Sequence, residues 1–161
     1  MDTSRSQGIE RRLSFAKGAV LALLSQAYIS RDKVGVLLFY DQTCELILPF
    51  TKSANYASKC LQDIPAFGKT PLGPGLRKAM EVFRVEKTKD ADLRPLLILL
   101  TDGKATYDDL PGPPIQLALE AAKEVKASGI PTLVIDTEGG VFSIGLAQKL
   151  AEEMDAVYAK L

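Results

Sequence analysis

The chain contains no histidine. That absence removes Ser-His-Asp and Cys-His nucleophilic catalysis, and most catalytic zinc sites, because each draws on imidazole as base or ligand. Cysteine is scarce. Cys44 and Cys60 have neither CxxC nor zinc-ribbon spacing, so they are expected to be reduced thiols in the core. Net charge is absent as well: 20 basic residues balance 20 acidic ones. Neither a nucleic acid nor a membrane surface would attract such a chain over long range, and neither is an expected partner. No apolar run approaches the roughly 20 residues that span a bilayer, and no secretory signal is visible. There is no G-x-x-x-x-G-K-[ST] motif, and Gly68, Gly73 and Gly75 are too loosely arranged for a dinucleotide fingerprint. ATP binding by this chain is therefore not expected. Internal repeats, low-complexity tracts and inter-domain linkers are also missing. With 161 residues and 47% hydrophobic content, the chain reads as one globular domain over residues 1–161.

What is present alternates between two periods. Ile9, Leu13, Ala16, Val20, Leu23, Leu24 and Ala27 recur at helical spacing and predict a long amphipathic helix over 9–29, with Ser6 placed to cap it. Residues 34–39 form a short apolar run, as in a strand buried on both faces. Cys44, Leu46 and Leu48 then alternate along a half-exposed edge strand after a turn at Asp41 and Gln42. Helices are predicted at 53–64 (capped by Ser53), 71–86, 115–128 and 144–154, with Gly129 ending the third of these. Strands are predicted at 96–100, 132–136 and 156–158. Strands separated by helices predict parallel βαβ units, hence an α/β, doubly wound, mainly parallel sheet with helices on both faces.

Chemistry concentrates at three loops. Asp2-x-Ser4-x-Ser6 offers a carboxylate and two hydroxyls at every second residue. Thr70 lies in the Gly-rich stretch 68–73, and Asp102 follows the apolar run 96–100 and leads into Gly103. Such oxygens suit a hard divalent cation, Mg²⁺ or Mn²⁺, which prefers octahedral oxygen ligation and keeps several waters. Each element also has a plain reading. Asp2 and the serines suit a turn and N-cap, Thr70 before Pro71 suits the start of a helix, and Asp102-Gly103 suits a strand-ending turn. Lys69, Arg77 and Lys78 read as solvated surface. Ligand loops in α/β sheets leave the carboxyl ends of central strands. Only Met1 precedes Asp2, so the domain reads as truncated at its N-terminus, lacking a first strand. That loss would expose a slot between the strands at 34–39 and 96–100.

The order of these three loops resembles the metal-ion-dependent adhesion site of von Willebrand factor A domains. The chain is most similar to the C-terminal domain of the magnesium chelatase D subunit and related chelatase-type proteins. Stretches 16–20, 31–34, 48–49, 70–72, 94–96, 100–105 and 129–138 carry the likeness. The resemblance implies a Rossmann-like fold and a cation held by Asp2, Ser4, Ser6, Thr70 and Asp102, the hydroxyls reaching it and the carboxylates acting directly or through waters. It implies a non-catalytic module that docks an acidic residue of a partner, an AAA+ ATPase or catalytic chelatase subunit, in an ATP-driven tetrapyrrole-metallating complex. The location implied is the cytoplasm, or the plastid stroma in a photosynthetic eukaryote. The family usually has Gly where this chain has Arg5, and often Gly at Lys69, so the rim differs in shape and charge. Two other classes stand beside this one: a Mg²⁺-dependent hydrolase or phosphotransferase using Asp2, with Asp102 and Lys104 nearby, and a metal-free structural domain.

Overall fold

The computed structural model describes residues 14, 18–27, 29–30, 32–62, 69–138 and 145–160. They belong to two compact units, one drawn from Met1–Leu38 and Glu45–Gly68, the other from Phe39–Cys44 and Lys69–Leu161. Asp2, Ser4, Arg5 and Ser6 lie outside the described residues, as does the start of the helix expected at 9–29.

In the first unit, helix α1 covers the described residues 18–27 and 29–30. Strand β1, Val34–Tyr40, and strand β2, Thr43–Thr51, form a two-stranded sheet, of which the tip, Phe39–Cys44, belongs to the second unit. Only two residues, Asp41 and Gln42, join them, which makes the pair an antiparallel hairpin. Asp41 takes the left-handed backbone conformation (φ 50°) that Asp tolerates better than most residues. Helix α2, Ala54–Gln62, begins as expected: the Tyr56 N–H donates to Ser53 Oγ at 3.2 Å. The core here is small. Leu24, Leu48 and Ala57 are buried, with Val20, Val34, Val36, Ile47 and Cys60 packed partly against them. Burial of β1 on both faces is not found; all seven of its residues are half-buried, and β2 is its one hydrogen-bonded neighbour among the described residues. The cysteines are corrected likewise: Cys44 and Cys60 are free thiols, but half-buried rather than enclosed.

The second unit repeats helix and strand: α3 (Leu72–Lys89), β3 (Leu97–Thr101), α4 (Pro114–Ala127), β4 (Thr132–Asp136), α5 (Leu146–Met154) and β5 (Val157–Lys160). The three strands pair in parallel in the order β3-β4-β5, with Leu99 opposite Val134 and Val134 opposite Tyr158. Parallel neighbours need a crossover, and α4 and α5 supply it. Pro113 and Pro114 fix the start of α4, while Gly129 (φ 69°) follows its end in the conformation expected of a helix stop. Helix α4 packs on α3 and α5, and α5 packs on β4. A continuous core results, with Leu72, Leu76, Leu99, Val125, Val134 and Leu150 among its buried members. Strand β3 starts a residue later than expected; Leu96 is exposed and Thr101 is buried in its place at the far end. No described helix is long and apolar enough to cross a membrane.

Candidate metal-dependent docking site

Thr70 and Asp102 both fall in the second unit, at the start of α3 and just past the end of β3. Their loops are tied together by the main chain. The Thr70 N–H donates to Thr106 Oγ1 at 2.8 Å, and the Thr106 N–H returns a bond to the Thr70 carbonyl at 3.1 Å. The preceding residue is pinned to the hairpin tip: the Lys69 N–H donates to Asp41 Oδ1 (3.1 Å), and the Asp41 N–H donates to the Lys69 carbonyl (2.9 Å). Lys69 and Thr70 therefore sit in a backbone frame set by two other segments. The Lys69 ammonium stands 5.9 Å from the centre of the Tyr107 ring.

Asp102 is held by its own turn. The Lys104 N–H donates to Asp102 Oδ1 at 3.1 Å, the local bond that suits Asp to turns. Lys104 Nζ lies 3.6 Å from Asp102 Oδ2. The next residue explains the Asp-Gly pair. Gly103 has φ 77°, and its N–H donates to Thr101 Oγ1. A Cβ there would stand 2.2 Å from the Ala147 nitrogen and 2.5 Å from the Leu146 carbonyl carbon. Left-handed backbone and direct packing against the start of α5 both require glycine.

Beyond these, the sequence reading missed a polar cluster on the same loop. Arg77 Nη2 donates to Asp108 Oδ1 at 2.5 Å and to Asp109 Oδ1 at 2.7 Å. Arg77 is thus a bridge between α3 and the β3–α4 loop, not the solvated cation expected. Burial pulls its guanidinium pKa down, but hydrogen bonds to Asp108 and Asp109 outweigh that and raise it. For Asp109, burial works against the charge; the Arg77 hydrogen bond wins and holds the carboxyl below its ordinary range. An open cleft of about 270 Å³ beside them is lined by Gln42, Cys44, Lys78, Glu81 and Tyr107, among others. Burial, then the Asp109 charge, raises the Cys44 thiol pKa, so this cysteine is a poor nucleophile. Lys78 pairs with Glu81 at 2.9 Å.

Asp136, at the end of β4 and paired in register with Thr101, is fully buried. Its Oδ1 accepts from the Glu138 N–H (2.7 Å) and its Oδ2 from the Tyr158 hydroxyl (2.6 Å). That second bond, with smaller help from burial, pushes the Tyr158 pKa up to about 12. The Asp-Thr-Glu run closing a strand was the local signal for this turn.

Thr70 carries a hydroxyl and Asp102 a carboxylate, oxygens of the kind a hard cation takes. Asp2, Ser4 and Ser6, the other three residues expected as ligands, lie outside the described residues. Among the described residues no group of three or more His, Cys, Asp or Glu side chains could hold a metal, so the softer transition-metal arrangements are not represented there.

A parallel α/β unit with loops gathered at the carboxyl ends of its strands defines the class, and comparison with known proteins defines the family. The profile described as von Willebrand factor type A domain matches residues 1–104. The chain belongs to the von Willebrand factor type A domain family. It is 36% identical over 158 residues to an uncharacterized protein, MJ0910, of Methanocaldococcus jannaschii, covering 96% of this chain and 88% of that one. It is 39% identical over 166 residues to the magnesium-chelatase 60 kDa subunit of Cereibacter sphaeroides, covering all of this chain but only 29% of the subunit. Among solved structures, the SpRpn10 VWA domain superposes with a TM-score of 0.67 at 13% identity, covering 91% of this chain and 76% of that one. The expected α/β, Rossmann-like fold and the resemblance to chelatase-type proteins both hold.

Proposed function

We propose that this chain is a cation-dependent docking module of a magnesium-chelatase-like assembly, without catalytic activity of its own. Mg²⁺ or Mn²⁺ would be held by Asp2, Ser4, Ser6, Thr70 and Asp102. The cation supplies an open coordination position that an acidic residue of a partner protein can fill. The observation that carries the reading is the frame around Thr70. Four hydrogen bonds from Asp41 and Thr106 hold the backbone of Lys69 and Thr70, while the Thr70 hydroxyl has no hydrogen-bond partner among the described residues. A side chain whose backbone is fixed and whose oxygen is uncommitted is suited to ligation. Likeness to chelatase subunits supports an ATPase or catalytic chelatase subunit as partner, and tetrapyrrole metallation in the cytoplasm as the setting. The chain spans about a quarter of those subunits, so partner and substrate are part of the proposal.

The test is calorimetric titration of Mn²⁺ into the full chain and into Thr70→Ala. The proposal expects saturable binding that weakens by about tenfold or more in the variant, with the fold retained. Equal binding by both proteins would remove Thr70 from the site and with it the adhesion-site reading.

A further inference from the structure

We infer that Arg77 is a positioning residue for the cation site, acting through Asp108 to hold the Asp102 loop against the start of α3; this rests on the proposed cation-dependent docking. Residues 102–113 contain no helix or strand, so side chains must set where that loop lies. One tie is the Thr70–Thr106 pair. The other is Arg77, whose single nitrogen Nη2 bridges Asp108 and Asp109.

Three features set this second tie apart from an ordinary surface ion pair. The Asp108 side chain is only 1% exposed and that of Arg77 24%, whereas Asp109 is open at 62%. Asp108 Oδ1 accepts a further bond from the Leu110 N–H at 3.0 Å, so the carboxylate is oriented by its own loop as well as by α3. Its Oδ2 is buried without a hydrogen-bond partner among the described residues and rests against Gly73, where a Cβ would come within 2.2 Å. Gly73 and Arg77 are four residues apart, hence on one face of α3. Asp108 thus lies over the first turn of this helix, near its positive end. Thr70 immediately precedes the same turn.

A loop that needed only anchoring could use an apolar side chain, with no carboxylate to desolvate. A buried carboxylate aligned by a guanidinium fixes distance and direction together. Here the helix start that follows Thr70 and the loop that follows Asp102 are brought into one frame. A one-ångström slip there would separate two donors of the same cation, and the partners that orient metal ligands matter nearly as much as the ligands.

The experiment measures Mn²⁺ affinity by calorimetry, and the melting temperature with and without Mn²⁺, for the full chain, Arg77→Met, Arg77→Lys, Asp109→Asn and Thr70→Ala. Arg77→Met should weaken Mn²⁺ binding about tenfold or more, at a temperature well below its metal-free melting point. Arg77→Lys should fall between it and the wild type, since an ammonium keeps the charge but is a point charge on a flexible stem in place of a rigid, planar group. If Arg77→Met fails to fold, Arg77→Lys carries the test and should still weaken Mn²⁺ measurably, whereas Asp109→Asn, which leaves the Asp108 contact in place, should weaken it less. A lowered metal-free melting temperature with unchanged Mn²⁺ affinity in both Arg77 variants would leave Arg77 a purely structural anchor and overturn the inference. Loss of binding in Thr70→Ala alongside wild-type affinity in Arg77→Met sinks the inference while sparing the docking proposal. Absence of Mn²⁺ binding by the wild type sinks both.

Discussion

The two compact units solve the burial problem differently. In the unit around α3–β5, three parallel strands and three helices share one core, in which Leu72, Leu76, Val125, Val134 and Leu150 are essentially sealed from water. Among the described residues of the hairpin unit, Leu24, Leu48 and Ala57 are the buried ones, and the β1 residues that belong to it, 34–38, all keep some exposure. A continuous core fixes backbone positions to a fraction of an ångström because close packing leaves no room to drift. Thr70, Asp102 and the Arg77 bridge all fall in the unit with that core. Precision is concentrated where the proposed site would need it.

The largest effect expected from this contrast comes from equal truncations in the two cores. Leu150→Ala should cost about 4 kcal/mol, since its cavity would be walled by α4, α5 and β4 and could not collapse. Leu48→Ala should cost about 2 kcal/mol, because half-buried neighbours can close in or admit water. Urea titration gives both values, and native-state hydrogen exchange places them. Leu48→Ala should speed exchange in β1, β2 and α2 while β3 and β4 amides keep their protection. Equal losses, or global loss of protection from Leu48→Ala, would erase the distinction between the units.

Next in size is Gly103→Ala. The left-handed backbone penalises an L residue by about 1–2 kcal/mol, and the clash with the α5 backbone adds about 1–3 kcal/mol of overpacking. A loss of roughly 3 kcal/mol by thermal or urea unfolding is expected. Gly129→Ala shares the positive φ but has open space around its Cβ, so it should lose only the backbone part, about 1 kcal/mol. Similar losses for the two would show that contact with α5 contributes nothing.

How much of this was legible beforehand follows from what is local in sequence. The βα alternation, the Ser53 cap, the glycine stop after α4 and strand β4 at 132–136 were readable from period and punctuation, because hydrophobic spacing and caps act over a few residues. The likeness of three loops to an adhesion site carried the family. Arg77 was misread, because a bridge to Asp108 and Asp109 across some thirty residues leaves no periodic trace. Strand β1 was read as buried on both faces because apolar content reports what could be buried, not which neighbours are present. Asp2, Ser4 and Ser6 lie outside the described residues, so the five-residue ligand set, Thr70 and Asp102 included, belongs to the proposal.

A smaller effect tests the sealed carboxylate of the larger unit. Tyr158 donates to Asp136 only while protonated, and its pKa is raised from 10 to about 12 in the fold. A pKa raised by folding contributes stability that is complete below the unfolded value and lost as pH rises through the folded one. Stability should therefore decline between about pH 10 and 12 for this reason, and Tyr158→Phe should remove that part of the decline. Chemical denaturation of both proteins across this range is the check. Parallel pH profiles would mean that the Asp136 bond does not contribute.

The smallest change in stability should come from Thr70→Ala, and that smallness is the point. The bonds fixing Thr70 run through its N–H and carbonyl, which alanine keeps, and its hydroxyl has no hydrogen-bond partner among the described residues. Stability should stay within about 0.5 kcal/mol of the parent, the usual range for a substitution that breaks no structural feature. Thr106→Val removes the hydroxyl that accepts the Thr70 N–H and should cost about 1 kcal/mol, since that donor is left without its partner. The two substitutions therefore separate ligand from scaffold. Thr70→Ala should lose cation affinity with its unfolding curve intact, and Thr106→Val should lose some of both. A clear fall in the melting temperature of Thr70→Ala would instead make this threonine part of the framework, leaving the larger unit without the functional side chain its packing holds in place.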